Sequence, residues 1–297
     1  MSIIAITGAS GFVGSALAAF LRARGDRVRP MVRPGRRAED GIAWDPAGGQ
    51  VDEAALAEVD AIVHLAGENV GDGRWTAAKK QRIRDSRVDG TSLLAGALAR
   101  MAKRPAVWVS GSAVGFYGDR GDARVDESAS MGNDFLAEVT RAWEAAAAPA
   151  RAVGVRVVHP RMGLVLAPHG GALAKMLLPF KLGLGGKLGS GTQGMSWIAL
   201  NDAVRALVHL VDTAALEGPV NVTAPEPVTN AAFTRALGEA LHRPTALTVP
   251  APIAKLALGE MAQVALLSGV CALPRKLLDS GFRFTHPELG AYLAQTL

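Results

Sequence analysis

The apolar positions of this chain change period repeatedly along its first half. Residues 3–7 form a short unbroken apolar run ending at Gly8, and residues 12–24 carry apolar side chains at helical spacing, so the chain opens as strand, glycine turn and helix. Residues 27–33 predict a second strand, and residues 61–65 and 106–110 two more, separated by a helical stretch over about 76–101. An Ala-rich helix over about 134–153 leads into a further buried strand at 155–159. Strands alternating with helices predict an α/β fold with a doubly wound parallel sheet covered on both faces.

After Arg161 the texture changes. Pro168-His169-Gly170-Gly171 and the glycine-rich run that follows show few regular periods before Trp197, which predicts a ligand-covering loop. A helix at 202–211, a strand at 219–223 and a helix at 230–241 entered through Thr229 resume the alternation. From Pro244 the chain has helices and turns of its own. We therefore expect a larger domain of residues 1–165 and 197–228 and a smaller α/β substrate-type domain of residues 166–196 and 229–297.

Composition narrows the function classes. With 297 residues, 49% apolar and 20% charged, the chain is long enough for one large core or a core plus an appended unit. Lys and Arg outnumber Asp and Glu by 32 to 27, but the arginines are scattered, which argues against a nucleic-acid partner. No window approaches the ~18 uninterrupted apolar residues of a membrane span. The start reads as a first strand and not as a signal peptide, and the single Cys271 can form no internal disulfide, so a cytoplasmic protein is expected. The six histidines are dispersed without metal-ligand spacing; His159 reads as a core residue and no metal is expected.

Gly8, Gly11 and Gly14 stand three apart between the first strand and the first helix. In that setting the first permits a tight turn, the second lets backbone N–H groups approach a pyrophosphate, and the third lets helix pack on strand. A dinucleotide is the ligand this turn suits. At the end of the second strand, where Asp or Glu would hold ribose hydroxyls, the chain has Arg33, followed by Arg36 and Arg37, which suits the 2′-phosphate of NADP(H). The competing reading leaves these arginines as surface charge and gives the ribose to Asp45 or Asp60.

Together, TGASGFVG, VHLAGENV, SRVDGTSLL and WVSGSAVGFYG resemble the extended short-chain dehydrogenase/reductase superfamily of Rossmann-type proteins, over almost the whole chain. More narrowly, AGENVGDGRWTAAKKQRIRDSRVDGT, LAPHGGALAKMLLPFKLGLGGKLGSG and the ending near ALPRKLLDSGF resemble its atypical epimerase-like branch, whose substrates are undefined. The resemblance implies that Gly8, Ser10, Gly11, Phe12 and Val13 form the pyrophosphate loop, and that Leu65, Ala66 and Gly67 pass beside the adenosine ribose. It implies that Ser110 and Gly111 flank the nicotinamide, that Ser112 matches the catalytic Ser or Thr, and that the stretch from Arg161 through Met162 to Val165 covers the carboxamide, mostly through its backbone. One part is missing. The superfamily's Tyr and Lys, four residues apart on the helix after the serine strand, fall near Leu136 and Thr140, and its Asn ahead of Gly-Thr is replaced by Arg87.

Chemistry is then left to Ser112, Tyr117, Glu68 and Arg87, with Asn69 beside them. Glu68 follows a strand at the ligand-binding edge, Tyr117 is either a proton donor or a packing residue, and Arg87 either grips a substrate carboxylate or phosphate or pairs with Glu68. Trp75 and Trp197 are either an apolar wall or core, and Asp202 reads as a helix N-terminal residue. Two functions stay open: an NADP(H)-dependent oxidoreductase or epimerase acting on an unknown small molecule, or a non-catalytic NADP(H)-dependent regulator that binds a protein partner. A monomer or homodimer is expected.

Overall fold

A computed structural model of the chain describes residues 1–33, 35, 38 and 40–297. Its centre is one sheet. Strands β1 (Ile3–Thr7), β2 (Arg27–Val32), β3 (Ile42–Asp45), β4 (Gln50–Val51), β5 (Ala61–His64) and β6 (Val107–Ser110) join Arg156–Met162 and Gly218–Val222 in the order β4-β3-β2-β1-β5-β6 and then those two. All pairings on this path are parallel except the hairpin of β3 with β4. The Rossmann-type doubly wound fold is as the sequence predicts; the hairpin, too short to show a period, is new.

The helices take the two faces. On one, α1 (Phe12–Ala23) packs with a later helix, Leu200–Asp212, over a core that includes Ile4, Ile6, Leu17, Leu21, Val63 and Leu207. On the other lies α3 (Ala77–Arg100), the next helix after the short α2 (Glu53–Leu56), over Ile62, Leu94, Leu98 and Trp108. Thr76 starts α3 by accepting a hydrogen bond from Lys79 N at 3.2 Å. The predicted helix over 134–153 is two helices, α4 (Phe135–Ala145) capped by Asp134 and α5 (Ala148–Ala152), because Pro149 begins the second.

The region after Arg161 is more regular than its glycines suggest. It holds α6 (Gly171–Lys181), and its short strand Gly186–Leu188 pairs with Leu247–Val249 from the C-terminal region. A further cluster under this region includes Leu166, Leu173, Trp197, Phe233 and Tyr292, so Trp197 is core and not cleft wall. The C-terminal segment divides its contacts: Leu277 and Phe282 pack in the core under α1. Asp202 lies in the first turn of its helix, fully buried, and accepts hydrogen bonds from Thr285 N and His286 N, so it ties that segment down.

Candidate functional site

The C-terminal ends of β1, β5 and β6 meet at one edge of the sheet, and three groups of residues line it. The first is the glycine turn. Gly8 has φ +68°, a conformation glycine adopts freely, and a Cβ there would come within 3.0 Å of Ala66 N. A Cβ on Gly14 would lie 2.1 Å from Gly8 O, so α1 can sit this close to the turn only with glycine at that position. Gly11 N donates to Gly8 O at 2.9 Å, no side chain caps α1, and its first turn holds no acidic residue. Gly11 and Ser10 are exposed, Phe12 and Val13 partly so. The first-turn amides thus face open space with positive potential.

This turn is braced from behind. Thr7 Oγ1 accepts from Leu65 N and Ala66 N, each at 3.1 Å, and lies 2.7 Å from His64 Nδ1. With both lone pairs occupied, the hydroxyl donates to Nδ1 and the imidazole proton sits on Nε2. Burial pushes His64 down to a pKa of about 3, so the ring is neutral. In front, Gly170 and Gly171 fold against the Phe12 ring, which a Cβ on either would strike at 2.5 and 2.8 Å. Arg33 is exposed just beyond β2; Arg36 and Arg37 lie outside the described residues. The competing carboxylates point elsewhere: Asp60 accepts from Ile3 N at the opposite edge of the sheet, and Asp45 from Ala47 N in its own turn.

The second group surrounds Ser112. Ser110 ends β6 beside His64, and a Cβ on Gly111 would meet the Trp143 ring at 2.8 Å. Ser112 Oγ donates to Glu144 Oε1 at 2.6 Å. Arg161 grips the same carboxylate with both prongs, Nε to Oε1 at 2.8 Å and Nη2 to Oε2 at 3.0 Å, and lies 3.4 Å over the Phe116 ring. Burial alone would pull the Arg161 guanidinium down; the Glu144 carboxylate outweighs it and holds the group above its ordinary range. The third prong, Nη1, donates to Tyr117 OH at 3.1 Å, and that hydroxyl donates to Asn221 Oδ1 at 2.7 Å.

Tyr117 is therefore not where a proton donor to substrate belongs. It is fully buried, its oxygen is engaged on both sides, and burial pushes its pKa up. The Arg161 side chain likewise turns into this network, while Met162 and Val165 continue past it at the edge, Val165 opposite Ile198. Glu144 and Asn221 escaped the sequence reading; Glu144 follows Trp143 on α4, and nothing local marks it as the partner of residues 17 and 32 positions away.

The third group follows β5. Glu68 pairs with Lys79 at 2.8 Å and with Arg82 at 3.6 Å, and these cations hold its carboxyl below the usual range. It forms no ion pair with Arg87. Instead Arg87 Nη1 donates to the carbonyls of Glu68 and Ile83, each at 3.0 Å, and its guanidinium stands between the Gly67 backbone and the Trp143 ring. Burial pulls Arg87 down to about 10, with Glu68 pushing the other way, so it stays charged at neutral pH. Asn69 Oδ1 is occupied by Gly71 N, and Trp75 packs on Phe135. Among the described residues no cluster of His, Cys, Asp or Glu forms a metal site, and no helix is long and apolar enough to cross a membrane.

A glycine turn at the N-terminus of α1, a serine just after β6 and a missing Tyr-Lys pair define the arrangement, and comparison with known proteins gives its family. The model of the NAD dependent epimerase/dehydratase family matches residues 4–223. The chain belongs to that family. Residues 249–296 match a second model, a domain of unknown function (DUF1731). An epimerase family protein of Mycobacterium bovis is 46% identical, covering 98% of this chain and 96% of its own. The epimerase family protein YfhF of Bacillus subtilis is 36% identical over 99% of this chain and 97% of its own. The human epimerase family protein SDR39U1, crystallised with NADPH, is 34% identical, with a TM-score of 0.89, covering 99% of this chain and 98% of that one.

Proposed function

We propose that this chain binds NADP(H) along the edge described above and is an oxidoreductase or epimerase-like enzyme acting on a small molecule. The observation that carries the reading is the cradle: Gly8, Gly11 and Gly14 leave backbone where side chains would stand, and the uncapped first turn of α1 offers amides to a pyrophosphate. The human relative crystallised with NADPH supports the same cofactor. Leu65, Ala66 and Gly67 would hold the adenosine side, Arg33 the 2′-phosphate, and Ser110, Gly111, Met162 and Val165 the nicotinamide side. When bound, the cofactor supplies or accepts a hydride. Residues 1–165 and 197–228 carry that cofactor, and residues 166–196 and 229–297 cover it, with Gly170 and Gly171 closing on Phe12. The lone Cys271 thiol favours a cytoplasmic protein.

Within this reading Ser112 is the polar group offered to substrate. Its hydroxyl proton is committed to Glu144, which Arg161 grips with both prongs, so its free lone pairs accept a hydrogen bond from a substrate hydroxyl. Tyr117 holds Arg161 in place from the protein side. The test is a fluorescence titration with NADPH and NADH. NADPH should bind at least tenfold more tightly, a difference of about 1.4 kcal/mol, and Arg33→Ala should erase most of it. Equal affinities in the wild type would overturn the assignment of Arg33.

A further inference from the structure

We propose that Arg87 is an anion subsite, and that the substrate of this protein carries a carboxylate or phosphate that docks on it. The inference rests on the binding edge proposed above and names the class of molecule that edge receives. It begins with an imbalance. Arg87 is a partly buried guanidinium whose hydrogen bonds reach only two backbone carbonyls, both through Nη1. Among the described residues no carboxylate lies within ion-pair distance of it, and Nε and Nη2 have no protein partner. Neither nitrogen is among the fully sealed, unpartnered polar atoms of the interior.

The neighbouring charges do not correct the imbalance. Glu68 is the acid that acts on Arg87 through space, but its carboxylate is shared by Lys79 and Arg82 and makes no ion pair with Arg87. A shielded cation without a counter-ion costs stability, and a fork of two free N–H groups matches the paired oxygens of a carboxylate or phosphate. The fork is also held still. A Cβ on Gly67 would come within 3.3 Å of Arg87 Cζ, and the Trp143 ring lies 5.2 Å away on the other side. That same ring touches Gly111, and the residue after each, Glu144 and Ser112, are hydrogen-bonded partners. Arg87 and Gly111, the residue before Ser112, thus pack against the same Trp143 ring.

Oxalate and inorganic phosphate are the probes. Calorimetric titration of wild type, Arg87→Met and Arg87→Lys is run with and without saturating NADPH, and melting curves confirm that each variant is folded. Oxalate should bind the NADPH-saturated wild type, Arg87→Met should lose at least tenfold of that affinity while NADPH affinity stays within threefold, and Arg87→Lys should fall between, keeping the charge without the fork. Absence of oxalate and phosphate binding to wild type, or equal binding by Arg87→Met, overturns the proposal. If oxalate competes with NADPH and Arg87→Met weakens both alike, the anion on Arg87 is the cofactor's own phosphate and the substrate subsite is wrong. If NADPH does not bind but oxalate still requires Arg87, the cofactor reading fails and the anion subsite stands.

Discussion

The glycine turn and the Ser112 network lie at the same sheet edge and are built in opposite ways. The turn presents backbone: consecutive residues, no side-chain cap, and space kept open because Gly8 and Gly14 carry no Cβ. The network presents side chains gathered from the segment after β6 (Ser112 and Tyr117), α4, Arg156–Met162 and Gly218–Val222, with Tyr117 and Asn221 104 positions apart. The turn has no room for a Cβ at Gly8 or Gly14; the network needs every partner. Binding should therefore depend on the first and integrity on the second.

The largest expected effect falls on the network. Arg161→Met leaves the partly buried Glu144 carboxylate without its counter-ion, which should cost about 3 kcal/mol, seen in urea unfolding. A loss under about 1 kcal/mol would show that solvent already screens the pair. Next comes the turn: Gly14→Ala forces a Cβ to within 2.1 Å of Gly8 O, and overpacking of this kind should cost about 1–3 kcal/mol and also weaken NADPH binding. A stability loss without a binding loss would separate the turn from the cofactor.

Acid should weaken the core around His64 and His159. Both are neutral when folded, with pKa values lowered by burial to about 3 and about 4, while the unfolded chain takes up protons below about 6.5. The unfolded state then binds more protons, so stability is complete above about pH 6.5 and falls towards pH 4, by up to about 1.4 kcal/mol per pH unit for each ring. Denaturation at pH 7, 6, 5 and 4 checks this, and His64→Asn should flatten the slope. An unchanged slope would mean that His64 is charged in the folded protein.

What was legible in the sequence follows the same division. The strand, turn and α1 could be read because their determinants are adjacent, and the exposed position of Arg33 because it directly follows the very next strand. Arg87 was visible as a cation in an unusual place, but its partner was not: carbonyls of Glu68 and Ile83 leave no mark in a sequence. Tyr117 misled because its local setting says nothing of Asn221, which buries its hydroxyl. The helix α6 was hidden by flanking glycines and by Pro179 inside it. Glu144 could only be found once the fold set α4 beside Arg156–Met162.

The smallest stability effect is the most informative one. Gly11 is exposed and a Cβ there meets only Gly8 O, at 3.1 Å, so Gly11→Val should fold with a melting temperature near that of the wild type. Its side chain would nonetheless occupy the space where backbone meets pyrophosphate. The decisive measurement is the NADPH dissociation constant of Gly11→Val beside that of Tyr117→Phe. The account predicts at least a thirtyfold loss, roughly 2 kcal/mol, for the glycine variant and less than a threefold change for the tyrosine variant. Normal NADPH affinity in Gly11→Val would contradict it.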